Sequence, residues 1–321
     1  MDDWICGLLE YGRLDYWRPI IPQSIAPIIH QSTTQLFQPY FVGANRMSSS
    51  IWFEANPSAF DTVAVEYDGI EARNAIMSWM RLRVQAAALS VFSPGSRLLE
   101  AGCGTGTDAL FFAQQGYHVV AADPSAEMLA AACVKISAAG YAHTVDFVRS
   151  FAEHLLSSLP ASSHPFDGLF SNFGALNCLA DLRPFAHAAA RLLRPGAKML
   201  INIMPPVCPW EIFYYLSKRK PTQAFRRWCG RTKNGGIPVA VHGRLVQTYY
   251  HSAQEIRRAC AGHFSCAAQF ALGLFMPPPY LQRVAEHRRL LKIMQRMEER
   301  LASWPFLRGM GDHFVMILQR H

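Results

Sequence analysis

The segment from Leu98 to Gly106 constrains the fold of this chain more than any other. It reads LLEAGCGTG, an apolar run followed by three glycines at alternate positions. Glycine lets the backbone turn tightly and approach a ligand without side-chain collision. Because a helix-forming stretch begins at Thr107, the segment predicts a strand, a ligand-binding loop and a helix in that order.

Strands and helices alternate along most of the remaining chain. Strands are predicted at about 97–100, 118–122, 146–149, 166–171, 198–204, 264–275 and 313–319, the sixth broken only near Gly273. Helices are predicted at about 71–92, 107–115, 125–139, 182–193, 252–261 and 281–302, the fifth opening with a capping box. Continuous apolar strands between helices are typical of a parallel sheet covered on both faces. The predicted fold is α/β, a Rossmann-like, seven-stranded, mostly parallel sheet with an antiparallel last strand.

Composition limits the broad class of the protein. The chain has 321 residues, 50% of them hydrophobic and 17% charged, which predicts one large globular domain or two small ones. The formal charge of +8 is compatible with a nucleic-acid or anionic-lipid partner, or with solubility alone. The start lacks the positive region of a signal peptide, and no apolar run reaches the ~18 residues of a membrane span.

The eight cysteines are scattered and form no Cys-x-x-Cys pair. This spacing argues against a structural zinc site, and we expect no metal. Scattered unpaired cysteines suit a reducing compartment, so we expect a cytoplasmic protein.

Residues 1–50 are the hardest part of the sequence to interpret. Four prolines exclude a long helix, and Ser48–Ser50 resembles a linker. We predict a partly disordered N-terminal extension before a domain at 51–321. An alternative is an upstream stretch of little importance, with Met47 near the working start.

Two carboxylates flank the glycine loop. Glu100 ends the first strand, where it is placed to take an amino group and would repel a pyrophosphate. Asp123 ends the second strand, where a carboxylate accepts two hydrogen bonds from ribose hydroxyls. An amino acid plus a ribose, without phosphates, describes S-adenosyl-L-methionine. The alternative is a nucleotide-sugar or NAD-type domain.

Four ordered motifs resemble those of the class I methyltransferases, most closely the small-molecule branch related to quinone C-methyltransferases. They are 98–106, 119–129, 166–173 and the turn 192–197. The resemblance is firm over about 60–204 and rests on topology elsewhere. It implies methyl transfer from S-adenosyl-L-methionine. The residues expected to bind this cofactor are Tyr67, Glu100, Gly102, Cys103, Gly104, Gly106, Asp123, Pro124, Ser150, Phe151, Ala152 and Asn172.

One departure from the family lies after the third strand. Relatives often carry an acidic residue there that binds the adenine amino group, whereas this chain has Ser150 or Phe151. Ser150 is able to accept a hydrogen bond and Phe151 to stack on the purine, with weaker cofactor binding expected. Glu153 is expected to face solvent.

The segment 205–251 interrupts the alternation and is expected to be a substrate cap inserted after the fifth strand. Its aromatic residues indicate a small, hydrophobic or aromatic acceptor, or simply pack the insertion on its own domain. Substrate contacts are expected from Asn177, Trp210 and Tyr214. The missing proline pair after Asn172 argues against base and amide methylation. The mixed charges of 281–302 indicate an exposed helix, with weak membrane-surface contact as a lesser alternative.

Histidine is the natural proton acceptor at neutral pH, and three weak candidates lie near predicted strand ends or in the insertion. They are His242, His251 and His313. Two other functions stay open at this point: a non-catalytic subunit that kept the cofactor fold, and an RNA methyltransferase, which rests on charge alone. The oligomeric state is not indicated.

Overall fold

The computed structural model describes residues 56–163, 165–231, 235–241 and 244–321. The predicted extension at 1–50 lies outside the described residues, as does His242. None of the helices within these ranges is long and apolar enough to cross a membrane.

The described strands and helices follow one another as the alternation predicts. The strands are β1 Arg97–Ala101, β2 His118–Asp123, β3 Val145–Arg149, β4 Phe166–Ser171, β5 Leu193–Ile203, β6 Ile237–Val241, β7 Arg244–Thr248, β8 Phe264–Leu272 and β9 His313–Arg320. The α-helices are α1 Ala64–Ala72, α2 Ala75–Val91, α3 Thr107–Gln114, α4 Ala126–Ala138, α5 Leu155–Ser158, α6 Arg183–Leu192, α7 Pro209–Ser217, α8 Pro221–Ala224, α9 Arg226–Cys229, α10 Ala253–Cys260 and α11 Arg288–Leu301.

Seven strands form one sheet in the order β3-β2-β1-β4-β5-β9-β8. The pairs from β3 to β5 are parallel, and β9 lies antiparallel between β5 and β8. The predicted fold class is therefore confirmed. The carboxyl ends of β1, β2 and β4 meet at one edge of the sheet, where the loops after them converge.

The core has two halves because successive strand residues point to opposite faces of the sheet. Leu99 and Leu169 pack on one face with Phe185 of α6. Leu98 and Phe170 pack on the other face with residues of α2 and α3. Both faces of the central strands are therefore buried against apolar side chains, which explains why polar and apolar residues do not alternate along these strands.

The structure corrects three predicted boundaries. The helix expected at 71–92 is two helices, because the side chain of Asn74 accepts hydrogen bonds from the N–H groups of Ile76 and Met77 and begins α2. The strand expected at 264–275 with a break near Gly273 does not resume after that break: β8 ends at Leu272, directly before this glycine, whose φ is 75°. The helix expected at 281–302 is a 3₁₀ segment followed by α11.

The insertion after β5 consists of α7, α8, α9 and the antiparallel pair β6–β7. Buried ion pairs hold it to the sheet. Arg227 donates to both carboxylate oxygens of Glu211, at 2.9 and 3.0 Å, and to Oδ1 of Asp312, at 2.6 Å, just before β9. Burial alone raises the pKa of Glu211, but Arg227 and Arg226 lower this pKa to about 2, so the carboxylate is charged at neutral pH.

Candidate cofactor cleft

A cleft opens at the carboxyl edge of the sheet and encloses about 1130 Å³ of empty space, a volume that includes the solvent at its open mouth. Its lining includes many of the residues predicted from the sequence: Tyr67, Glu100, Gly102, Cys103, Gly104, Asp123, Pro124, Phe151, Ala152 and Asn172.

The glycine loop follows β1 and turns into α3. Gly102 and Gly104 have φ of 75° and 52°, values that favour glycine. The loop is held against β2 by two hydrogen bonds: the N–H groups of Gly102 and Cys103 donate to the carbonyl of Ala122, at 2.8 and 3.0 Å. A Cβ on Gly104 would have no described atom within 4 Å, so this glycine faces open space in the cleft.

Gly106 has a different role from the one predicted. A Cβ at Gly106 would lie 2.8 Å from the Cβ of Ala132, on α4. Its hydrogen therefore allows the loop to pack against α4, and Gly106 is absent from the cleft lining.

Asp123 is positioned by the loop that it faces. Its Oδ2 accepts from the N–H of Gly104 and its Oδ1 from the N–H of Ser125, both at 2.9 Å. Burial raises the pKa of Asp123 to about 6, against the lowering effect of these two donors. Each oxygen keeps acceptor capacity on its cleft side, as two ribose hydroxyls require.

Glu100 is an unusual group for a core strand. It is 2% exposed, and its Oε2 has no hydrogen-bond partner in the described part of the chain. Burial and the charge of Asp108 raise the pKa of Glu100 well above its ordinary value. A buried carboxylate oxygen without a donor is costly, so this position calls for a donor or cation from outside the protein.

A buried charge cluster that the sequence did not reveal lies beside Glu100. Arg81 of α2 donates to both oxygens of Glu71, at 2.7 and 2.6 Å, and forms an ion pair with Asp108. Arg81 also lies 4.6 Å from the ring centre of Phe173. A weak signal exists in the sequence, because Arg81 and Gln85 are polar residues four apart, each directly after a residue of the apolar row of α2.

The segment after β3 corrects two expectations. The hydroxyl of Ser150 donates to the carbonyl of Phe151 and lies 2.9 Å from the hydroxyl of Ser158, and Ser150 is not part of the cleft lining. Glu153, expected to face solvent, lines the cleft beside Phe151 and Ala152. Its Oε2 is buried without a hydrogen-bond partner among the described residues. The 3₁₀ turn at Ala152–His154 brings this carboxylate inward.

The three residues expected to contact substrate make contacts within the protein instead. Asn177 donates to the carbonyls of Met204 and Tyr249 and accepts from the N–H of Met204, so its amide braces two loops. Trp210 donates to the carbonyl of Phe275 at 2.6 Å, and Tyr214 packs on Tyr215. None of the three is part of the cleft lining. Trp210 thus attaches α7 to the segment that follows β8.

The two described histidine candidates lie behind the cleft wall. Nε2 of His251 lies 2.8 Å from the carbonyl of Leu179, and burial lowers the pKa of His251. Nδ1 of His313 lies 3.0 Å from Oδ2 of Asp312, and its ring packs edge-on against Phe173. Leu179 and Phe173 line the cleft, but neither histidine does, so both support the wall.

The residues of the cleft fit S-adenosyl-L-methionine. Glu100 has an unsatisfied oxygen for an ammonium, Asp123 has acceptors for a diol, and Gly104 leaves room between them. Phe151 supplies a ring for a purine. Within the described ranges, no group of three or more His, Cys, Asp or Glu residues is able to hold a metal ion.

Comparisons with known proteins agree with this geometry. A family model described as a methyltransferase domain matches residues 98–196. A demethylmenaquinone methyltransferase from Renibacterium salmoninarum is 30% identical over 177 residues, covering 52% of this chain and 68% of the relative. A 2-phytyl-1,4-naphtoquinone methyltransferase from Synechocystis is 27% identical over 236 residues, covering 70% of this chain and 90% of the relative.

A solved structure shares the fold. The 1,6-didemethyltoxoflavin-N1-methyltransferase from Burkholderia thailandensis, with bound S-adenosylhomocysteine, matches with a TM-score of 0.51 at 18% identity, covering 88% of this chain and 99% of that one. Such a low identity shows the fold alone. The shared fold and the identity to the Renibacterium relative, over 68% of that relative's length, together show that the chain belongs to the class I methyltransferases, whose cofactor is S-adenosyl-L-methionine.

Proposed function

We propose that this methyltransferase acts on a small, lipophilic aromatic acceptor. The observation that carries the proposal is the apolar part of the cleft beyond the glycine loop, which includes Phe60, Phe173 and Leu179. Apolar and aromatic walls select acceptors that leave water readily. The quinone-type acceptors in the names of the two relatives belong to this chemical class.

The cofactor supplies a methyl group on an activated sulfonium. We propose that Glu100 holds the ammonium of its amino-acid part and that Asp123 holds the ribose hydroxyls. The Arg81 cluster lies beside Glu100 and orients the amino-acid end. Phe151 stacks on the purine, and Glu153 accepts a hydrogen bond from the purine amino group. In this proposal Glu153 takes the role of the acidic residue that relatives often carry after the third strand, two or three positions further along the chain.

The walls of the acceptor space are held by residues that do not touch the acceptor. His313 packs behind Phe173, and Asn177 braces the loop after β4. Phe173 has φ of 47°, a strained value for a bulky residue. We propose that this strain aims the ring at the acceptor and keeps the reacting atoms aligned, which is the main demand of an in-line displacement.

We further propose that 51–321 is one methyltransferase domain in which 205–251 caps the acceptor space. The insertion approaches the cleft through β7, because Gln247 is bonded to Asn56 on the lining. The described cysteines form no disulfide, which supports a cytoplasmic location. The charge alone gives no reason to propose a nucleic-acid substrate.

The acceptor class is tested with purified protein and methyl-labelled cofactor. Reduced naphthoquinones and simple phenols form one panel, and amino acids and short RNA form the other. Label transfer to the aromatic panel alone supports the proposal. Transfer to the polar panel alone contradicts it, even if cofactor binding is normal. Paired metabolites one methyl apart in cells with and without the protein would identify the natural acceptor.

A further inference from the structure

Helix α11 carries an exposed apolar row. Leu290, Ile293 and Met297 are three and then four residues apart, which places them on one face of the helix. Ile293 is 54% exposed. Trp304 and Phe306 follow the helix within five residues and are also exposed, Phe306 to 86%. We call these five residues the apolar stripe.

A basic row runs beside the apolar stripe. Arg289, Lys292, Arg296 and Arg300 are all exposed and repeat at the same spacing, offset by one residue from the apolar row. The exposed acid Glu299 lies 4.0 Å from Nη1 of Arg83 on α2, which offsets its charge. The outward side of α11 therefore combines apolar side chains with an excess of positive charge.

The apolar stripe is distinct from the face that holds α11 to the protein. That other face includes Met294 and Glu298, both buried. Glu298 accepts hydrogen bonds from the N–H groups of Leu274 and Phe275, at 3.1 and 2.7 Å, and so fixes the helix beside the end of β8. Because this face is already satisfied, the apolar stripe is not needed to attach the helix.

We infer that the apolar stripe and its basic row bind the surface of a membrane that contains anionic lipids. An amphipathic helix with Trp or Phe on its apolar side and Lys or Arg beside it has the chemistry of an interfacial anchor. Anionic headgroups attract the basic row, and the apolar stripe enters the headgroup region. The formal charge of +8 acts in the same direction.

The position of the surface is useful for the proposed reaction. The segment with Trp304 and Phe306 leads into β9, whose first residue, His313, supports Phe173 on the cleft wall. An acceptor dissolved in the membrane would meet the protein on this side. This benefit rests on the proposed acceptor class, whereas membrane binding itself does not.

Membrane binding is measured by sedimentation of the full chain with vesicles, without cofactor or acceptor. Vesicles of phosphatidylcholine with and without phosphatidylglycerol are compared at low and high salt. The test variant combines Ile293→Asn with Phe306→Ser. The control is Val134→Asn, which removes an apolar side chain that is 71% exposed on α4, near β2 and β3 at the other end of the sheet.

The wild type is expected to bind the anionic vesicles, with binding reduced by high salt. The double variant should need at least about ten times more lipid for half-binding, and the control should stay within about two-fold. No binding by the wild type overturns the inference, as does equal binding by the double variant. Loss of a dimer in the double variant, seen by light scattering without vesicle binding, would instead assign the stripe to a second copy. Since both substitutions are at exposed sites, thermal unfolding should stay near that of the wild type.

Discussion

Asn56 and Gln247 are joined by two hydrogen bonds although 191 residues separate them. Nδ2 of Asn56 donates to the carbonyl of Gln247 at 3.1 Å, and Oδ1 accepts from its N–H at 2.8 Å. Both residues are buried. The amide thus pairs with main-chain groups of β7 as a neighbouring strand would, and it connects the segment before α1 to the insertion.

Asn56→Ala is expected to lower the free energy of unfolding by about 1–3 kcal/mol, because two buried main-chain groups lose their partners. Gln247→Ala is the matched control. It keeps both bonds, since they involve main-chain atoms of Gln247, and removes the contacts of its side chain with the carbonyl of Gly235, at 2.8 Å, and with Tyr249. Urea unfolding measures both variants, and equal losses would show that the pair does not stabilise the fold.

Gly104→Ala is expected to weaken cofactor binding by at least about ten-fold, or 1.4 kcal/mol, while the protein stays folded. An added Cβ meets no described atom of the protein, so the only collision is with the ligand. Gly116→Ala is the control for backbone strain, because Gly116 also has a positive φ, 81°, and open space around it. Calorimetry with S-adenosylhomocysteine that showed equal affinities for the two variants would place the ligand elsewhere.

Glu100→Gln is expected to stabilise the ligand-free protein by about 1–2 kcal/mol, because it removes the free-energy cost that burial and Asp108 place on ionising this carboxyl. The same change should weaken cofactor binding about 10- to 100-fold through loss of the ammonium contact. Asp108→Asn, which breaks the ion pair with Arg81, should instead destabilise the fold. Urea unfolding and calorimetry follow the two effects, and a destabilised Glu100→Gln would refute this account.

Cofactor affinity is expected to fall as the pH drops below about 6, the raised pKa of Asp123. Protonation there removes acceptors for the ribose. The stability of the ligand-free protein should change in the opposite direction. Because the folded-state pKa of Asp123 lies above the ordinary value of 3.8, its contribution to the free energy of unfolding should increase as the pH falls from above 6 towards 3.8.

Calorimetry between pH 5 and 8 tests the dependence of affinity on pH. In Asp123→Asn the step near pH 6 should be absent, whereas any further change caused by Glu100 should persist. A wild-type profile without this step would mean that the Asp123 carboxylate does not hold the ribose.

Glu153→Ala is expected to weaken cofactor binding by about ten-fold, because the purine amino group loses its acceptor. Glu153→Gln keeps an acceptor oxygen and should bind nearly as the wild type does. If Glu153 accepted the proton of the acceptor instead, Glu153→Gln would bind the cofactor normally and lose turnover. Binding and single-turnover rates on both variants distinguish the two roles.

The fold and half of the cleft could be predicted because their signals are local. The glycine loop after β1 and Asp123 at the end of β2 each follow from a few adjacent residues, and parallel topology brings such strand ends together. The fold class and the cofactor predicted from these residues are confirmed by the sheet order and the comparisons.

The missed features depend on contacts between distant segments. Arg81 reaches the cleft only because α2 packs beside the glycine loop and Asp108 draws its guanidinium inward. The direction of Glu153 depends on a single 3₁₀ turn. Trp210 and Tyr214 were misassigned because an aromatic residue that lines a pocket and one that packs a helix have the same pattern in the sequence.

The attachment of the insertion through Arg227 has a consequence for how this protein tolerates change. Apolar contacts do not depend strongly on direction, but the hydrogen bonds of Arg227 to Glu211 and Asp312 require defined angles. These charged atoms, together with the amides of Asn56 and Asn177, therefore set the orientation of the insertion, while an exposed residue such as Phe213 contributes little to it. The outer part of the insertion is thus open to redesign towards new acceptors, provided that these contacts are kept.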